Sequence, residues 1–167
     1  MSFTNRICQV LHEEHAATIA LLQRLEQLTA RHRRDDPPNV KDSLVGKLLS
    51  DLATSLTVEL QRHFAVEEEH LFAYLDAAGD QGIGAHLLDE HKVIRPLVAR
   101  VTELARGAAA SGFNAESWKE FHRTGRELCE RLQAHAEKEE MALLPAIEDG
   151  MDAETEARLL AEYVETA

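Results

Sequence analysis

The sequence predicts an all-α fold: an up-down-up-down four-helix bundle with a short extra C-terminal helix. Three observations carry that expectation. Aromatic residues make up only 5% of the chain and there are four prolines, against an abundance of the Ala, Leu, Glu and Arg that favour helix. Apolar residues recur at alternating spacings of three and four along four long stretches, the pattern of a buried helical seam. Short breaks containing proline or glycine separate those stretches, as expected where helices are joined by tight connections.

The first helix is expected from about Thr4 to Arg33, capped by Thr4 or Asn5, with the stripe Ile7, Leu11, His15, Thr18, Leu22, Leu25. Its basic end, Arg31-His32-Arg33-Arg34, suits the negative pole of a helix. Asp35-Asp36-Pro37-Pro38-Asn39 breaks the pattern. The second helix follows from about Val40 to Ala77, with Leu48, Leu52, Leu56, Leu60, His63, Glu67, Leu71 and Tyr74 in its seam. Gly79 to Gly84 reads as the next turn, and a third helix extends to about Ala109 through Leu87, His91, Ile94, Val98, Val101 and Ala105. Pro96 is expected to kink that helix or loosen one turn. After Ala110 to Asn114, a fourth helix runs from about Ala115 to Leu144 with Phe121, Gly125, Leu128, Leu132, His135, Glu139 and Ala142 inward, and Pro145 ends or bends it. At 167 residues the chain fits one domain over 1–167, with a core of about 4–147 and the C-terminal helix over about 152–164.

A formal charge of −12 argues against nucleic acid or an anionic membrane as partner, because phosphates would be repelled. Cys8 and Cys129 are too few and too distant for a disulfide scaffold and read as ordinary reduced thiols. The start, Met1-Ser-Phe-Thr-Asn-Arg, leads into no long apolar run, and no stretch approaches the length of a membrane span. A soluble cytoplasmic protein is the expectation.

The chemistry lies in a pattern that occurs twice. His63-Phe-Ala-Val-Glu67-Glu68 recurs as His135-Ala-Glu-Lys-Glu139-Glu140, and each copy is preceded by a Glu-His pair on an earlier helix, Glu14-His15 and Glu90-His91. Residues four apart stack on one helix face, and here that face is the apolar one. With nine histidines in the chain, His-x-x-x-Glu-Glu is expected only about 0.14 times by chance. His15 and His91 are 76 residues apart and His63 and His135 are 72 apart, so the first helix pair resembles the second. Buried imidazoles and carboxylates are costly unless hydrogen-bonded, paired or ligated. A cation between them removes that cost, and the donor set suits iron, manganese or zinc better than calcium or magnesium. Two carboxylates among four imidazoles suit two ions, each carboxylate bridging. The plain alternative is a bundle whose buried polar residues hold no metal.

The order His, His-x-x-x-Glu, His, His-x-x-x-Glu over the four helices resembles the hemerythrin-like, or HHE cation-binding, domain family, over about Thr4 to Ile147. The run Glu67-Glu68-Glu69-His70-Leu71-Phe72 is similar to that family's acidic-then-apolar motif. The resemblance implies two iron ions with a bridging oxo or hydroxo group: His15 and His63 on one, His91 and His135 on the other, Glu67 and Glu139 between them. Two departures stand out. Oxygen-carrying relatives have a further histidine four residues from another on the third helix, where this chain has Leu87 and Arg95 about His91. They also carry an aspartate five residues past the histidine of the fourth helix, where this chain has Glu139 four past His135. His86 is the candidate additional ligand, although an offset of five residues turns it off the seam.

Of the remaining histidines, His70 reads as half-exposed with an outer role at the site as the alternative, and His12 borders the seam. His32 is expected to be solvated and His122 structural. Glu68 and Glu140 are expected either to orient ligand histidines or to face solvent. Three functions are compatible with such a centre: binding or sensing of a small diatomic, O2 or NO; NO reduction or peroxide decomposition, drawing on an electron-donor protein; and iron handling or cluster repair. A ferritin-like site would need Glu-x-x-His on two helices, and only Glu67-x-x-His70 is found.

Overall fold

The computed structural model describes residues 2–165 and is helical throughout its regular structure among them. Among the described residues there are four long rods and one short helix. α1 is Arg6–Arg31. α2, spanning 43–77, is built from α-helical Ser43–Thr54, Leu60–Val66 and Phe72–Ala77 joined by two wider π-turns, Ser55–Glu59 and Glu67–Leu71. α3 is Gln81–Ser111. α4, spanning 115–150, consists of Ala115–Lys138, a π-turn at Glu139–Leu143, and Leu144–Gly150. α5 is Ala153–Glu165 and packs on α1. α1 packs against α2 and α4, and α3 against α2 and α4, so the four rods close a ring.

The caps explain where the rods begin. The Asn5 side chain accepts from the backbone N–H of Ile7 and Cys8 at 2.9 and 3.2 Å, satisfying two of the donors a helix start leaves free. Asp42 does the same for Leu44 and Val45, so α2 begins at Ser43, a few residues later than expected. Asn114 and Ser117 form a reciprocal capping box at the start of α4. Gly112 closes α3 with φ of 81°, a left-handed conformation that favours glycine.

Two helix bounds differ from expectation, at the start of α3 and the end of α4. α3 starts at Gln81, inside the expected glycine turn; Gly84 is helical and lies so close to α2 that an added Cβ would stand 3.2 Å from the Phe72 Cβ. Pro96 lies within α3 without interrupting it. Pro145 does not end α4, which continues to Gly150. The missing proline N–H falls just after a widened turn, where the hydrogen-bond ladder is already rearranged.

Buried apolar residues form two clusters. One contains Leu22, Leu25, Leu49, Leu52, Trp118 and Phe121; the other contains Ile7, Leu11, Leu71, Leu143, Ile147 and Leu159. Along every rod a histidine or glutamate falls where one cluster gives way to the other: His15 on α1, His63 and Glu67 on α2, His91 on α3, His135 and Glu139 on α4. A polar layer therefore crosses the core. Cys8 and Cys129 are both buried and free, and burial pushes each thiol up to about 12.

Candidate metal centre

The two π-turns nearest this layer begin at its two carboxylates. In each, the hydrogen bond spans five residues, from the N–H of Phe72 to the carbonyl of Glu67 and from Leu144 to Glu139. Such turns are rare in helices and concentrate at functional positions. They also shift the seam. A regular helix would bury Tyr74 and Ala142, but Phe72 and Leu75 are buried on α2 and Leu143 and Leu144 on α4, while Tyr74 and Ala142 are only half-buried.

His15, His63, His91, His135, Glu67 and Glu139 meet in the layer, all buried, with the two glutamates 0% exposed. They fall into two groups, His15–His63–Glu67–Glu139 and Glu67–His91–His135–Glu139, and within each group one donor atom per residue lies within 4.8 Å of all the others. Each carboxylate faces both groups. Glu67 places Oε1 2.8 Å from His63 Nε2 and Oε2 3.3 Å from His91 Nε2. Glu139 places Oε2 2.8 Å from His15 Nε2 and Oε1 2.8 Å from His135 Nε2.

The other face of each imidazole is held by a carboxylate from a neighbouring rod. His15 Nδ1 donates to Glu140 at 2.6 Å, His63 Nδ1 to Glu14 at 2.7 Å, His91 Nδ1 to Glu68 at 2.7 Å and His135 Nδ1 to Glu90 at 2.8 Å. These bonds run from α1 to α4, α4 to α3, α3 to α2 and α2 to α1, a closed circuit. An ionised carboxylate can only accept, so the proton sits on Nδ1 and the inward Nε2 of a neutral ring presents a lone pair. Each glutamate is itself anchored: Glu14 accepts from Arg62 at 3.1 Å, Glu68 from Arg95 at 2.8 Å, Glu90 from Lys138, and Glu140 from His12 at 2.8 Å.

The interior of the layer is consequently rich in acceptors. Both oxygens of Glu67 and of Glu139 are buried without a well-formed hydrogen bond, and leaving one such group unpaired costs roughly 1–3 kcal/mol. The Nε2 atoms also face one another, 3.2 Å apart for His15 and His63 and 2.9 Å for His91 and His135. Burial would drive protons off His15, His63 and His135, but the adjoining Glu139, Glu67, Glu14, Glu90 and Glu140 outweigh it and raise all three imidazoles above their ordinary range. Burial acts on Glu139 in the opposite sense, and His135, His15 and His63 overcome it to hold that carboxyl well below the usual range. The cavity attracts positive charge, and protons and metal cations compete for the same Nε2 lone pairs. A histidine whose second nitrogen donates to a carboxylate is the usual form of a metal-ligating histidine. The donor set fits a pair of cations.

His86 belongs to neither group: it is exposed, with Nε2 3.4 Å from Glu90 and 3.5 Å from Lys138. Its five-residue offset from His91 turns it outward. His70 is half-buried, 3.2 Å from Glu162 of α5. His12 reaches the layer one step removed, through Glu140. His32 is half-buried at the C-terminus of α1, edge-on to Trp118, and His122 Nε2 donates to the Thr29 carbonyl at 2.9 Å. The orienting roles of Glu14 and Glu90 were not expected from the sequence. Their signal was present: every rod carries a glutamate immediately beside a residue of the layer.

A ring of helices around a buried layer of shared histidines and carboxylates defines a helical cation-binding domain. The Hemerythrin HHE cation binding domain model matches residues 6–147, with a further match over 87–166, and the chain belongs to that family. The second match starts in α3, as the likeness between the two helix pairs would allow. No curated protein matches the chain.

Proposed function

We propose that the chain is a non-haem di-iron protein that binds or senses O2 or NO. The observation behind this reading is the sharing of Glu67 and Glu139 by two buried groups, with all four of their oxygens lacking a well-formed hydrogen bond. Each group offers two imidazole nitrogens and two carboxylate oxygens. Such a mixed set suits iron and leaves coordination positions for an external ligand.

His15, His63, His91 and His135 with Glu67 and Glu139 would hold the iron pair, which would supply open coordination and one-electron chemistry. The chain's own residues do the rest. Glu14, Glu68, Glu90 and Glu140 keep the Nδ1 protons and hold each ring so that Nε2 points inward. Glu67 and Glu139 offset the charge of the cations. Phe64 stacks on His91 with centroids 3.7 Å apart, and Phe72 packs 5.6 Å from the same ring, keeping water from that side. We place these residues in an up-down-up-down four-helix bundle forming one domain over 1–167, in the cytoplasm.

Metal content and the absorption spectrum of aerobically purified protein test the proposal. Two irons per chain, charge-transfer bands of a bridged pair, and a reversible spectral change with O2 or NO without consumption are expected. One zinc per chain, or no metal, overturns it. Repeated turnover of NO or peroxide would replace binding with catalysis.

A further inference from the structure

The two groups share their carboxylates but not their surroundings. A cavity of about 380 Å³ opens between α1, α2 and α5; Glu13, Glu14, Thr18, Glu59, Arg62 and Tyr163 line it, and His63 forms part of its wall. The likeness between helix pairs places a counterpart between α3 and α4, also about 380 Å³, lined by Glu90, Val93, Ile94, Glu130, Arg131 and Lys138 among others. Neither His91 nor His135 lines that second cavity. Thr18 in the first cavity corresponds to Ile94 in the second by the 76-residue offset, and Glu59 corresponds to Arg131 by the 72-residue offset. A smaller side chain, Thr18, thus stands where the second cavity has Ile94, and Glu13, Glu14 and Glu59 face Arg62 in the first cavity where Asp89, Glu90 and Glu130 face both Arg131 and Lys138 in the second, which leaves the first more negative.

Its cover is also different. Tyr163 of α5 is 7% exposed, its hydroxyl accepts from Arg62 Nη2 at 2.9 Å, and the Arg62 guanidinium lies 4.8 Å from the Tyr163 ring centre. The same Arg62 nitrogen donates to Glu14, whose other oxygen accepts from His63 Nδ1. A tyrosine on the short terminal helix, one arginine and one glutamate therefore stand in line between solvent and a ring of the centre.

We propose that this cavity is the cation entry and exit route of the centre, that Tyr163 and Arg62 gate it, and that the ion held by His15 and His63 exchanges while the ion held by His91 and His135 is kinetically enclosed. The inference rests on the proposed two-ion centre. Glu13, Glu14 and Glu59 draw a hydrated divalent cation to the mouth by focusing negative potential in a cleft. Glu14 gives it a carboxylate beside His63, and displacement of Arg62 towards solvent opens the last step. His91, by contrast, is 0% exposed and Phe64 lies flat against its ring.

The test loads the full chain with ferrous iron, removes the iron with a coloured ferrous chelator, and follows the release in time. Two phases of one equivalent each are expected. Tyr163→Phe and Arg62→Ala should speed the fast phase by roughly tenfold and leave the slow phase unchanged. Thr18→Ile, which copies the residue of the opposite cavity, should slow the fast phase. Slowing is a readout that general loosening of the fold cannot produce. Release of both ions at one rate, or a fast phase indifferent to all three substitutions, overturns the route while leaving the two-ion centre standing. Fewer than two ions per loaded chain overturns the centre, and the route with it.

Discussion

The His15–His63 and His91–His135 groups are nearly the same in their donors and unlike in everything around them. Each has two imidazoles held through Nδ1 by glutamates, and each uses one oxygen of Glu67 and one of Glu139. Yet His63 borders an open cavity, whereas His91 is wholly enclosed and stacked by Phe64. The outer anchors differ too: Arg62 and His12 stand behind the first pair, Arg95 and Lys138 behind the second. The comparison teaches that repetition of a ligand pattern sets what can be bound, while the residues outside the repeat set how it is reached.

The largest effect should come from what the groups have in common. Glu139→Gln removes a shared charge and is expected to lower affinity at both groups together by about 100-fold or more, since a carboxylate bridging two ions contributes to each. Calorimetric titration of the metal-free protein would show it, and loss of a single ion would break the idea of sharing. Next come substitutions that should separate the groups. Glu14→Gln frees His63 and Glu90→Gln frees His135; each should weaken one ion by roughly 10–100-fold and spare the other. Equal weakening of both ions by either change would erase the distinction.

Phe64→Ala deletes a 0% exposed ring that stacks on His91 at 3.7 Å and packs edge-on to His135 at 5.6 Å, with His63 further off at 6.3 Å. A cost of about 3–5 kcal/mol in denaturant unfolding is expected, with faster release of the enclosed ion. The smallest effect lies away from the centre. Glu148 accepts from the backbone N–H of Thr4 and Asn5 at 2.8 and 2.9 Å and from the Thr4 hydroxyl. These donors hold its carboxyl below the ordinary range. A carboxyl depressed on folding contributes stability above its unfolded value and loses it as pH falls through the folded one. Glu148→Gln should therefore reduce stability slightly at neutral pH and flatten the acid limb of a pH–stability profile.

The six residues of the layer were legible because histidine and glutamate four apart, embedded in a leucine seam, can point only inward along a regular helix. The rods were legible for the same reason, and Asn5 is one of the two caps expected for α1, Thr4 being the other. The π-turns were not. They insert an extra residue at Glu67 and at Glu139, so the periodicity that led to His63 and His135 went on to name Tyr74 and Ala142 where Leu75, Leu143 and Leu144 are buried. Glu14 and Glu90 were hidden by a different limit. Each serves a histidine on the following rod, 49 and 45 residues away, and periodicity within one helix carries no information about that pairing. His86 lies outside both groups, as its five-residue offset from His91 already suggested by angle, the quantity that periodicity does report.

The circuit of imidazole-to-carboxylate bonds has a consequence for assembly. Because each rod both gives one such bond and receives one, sliding any rod by a single turn breaks two of them at once and strands two carboxylates from their partners. Register along all four rods is thereby fixed at one height, by polar contacts where leucine packing alone would tolerate a slip. The layer is a gauge that checks alignment before any cation arrives.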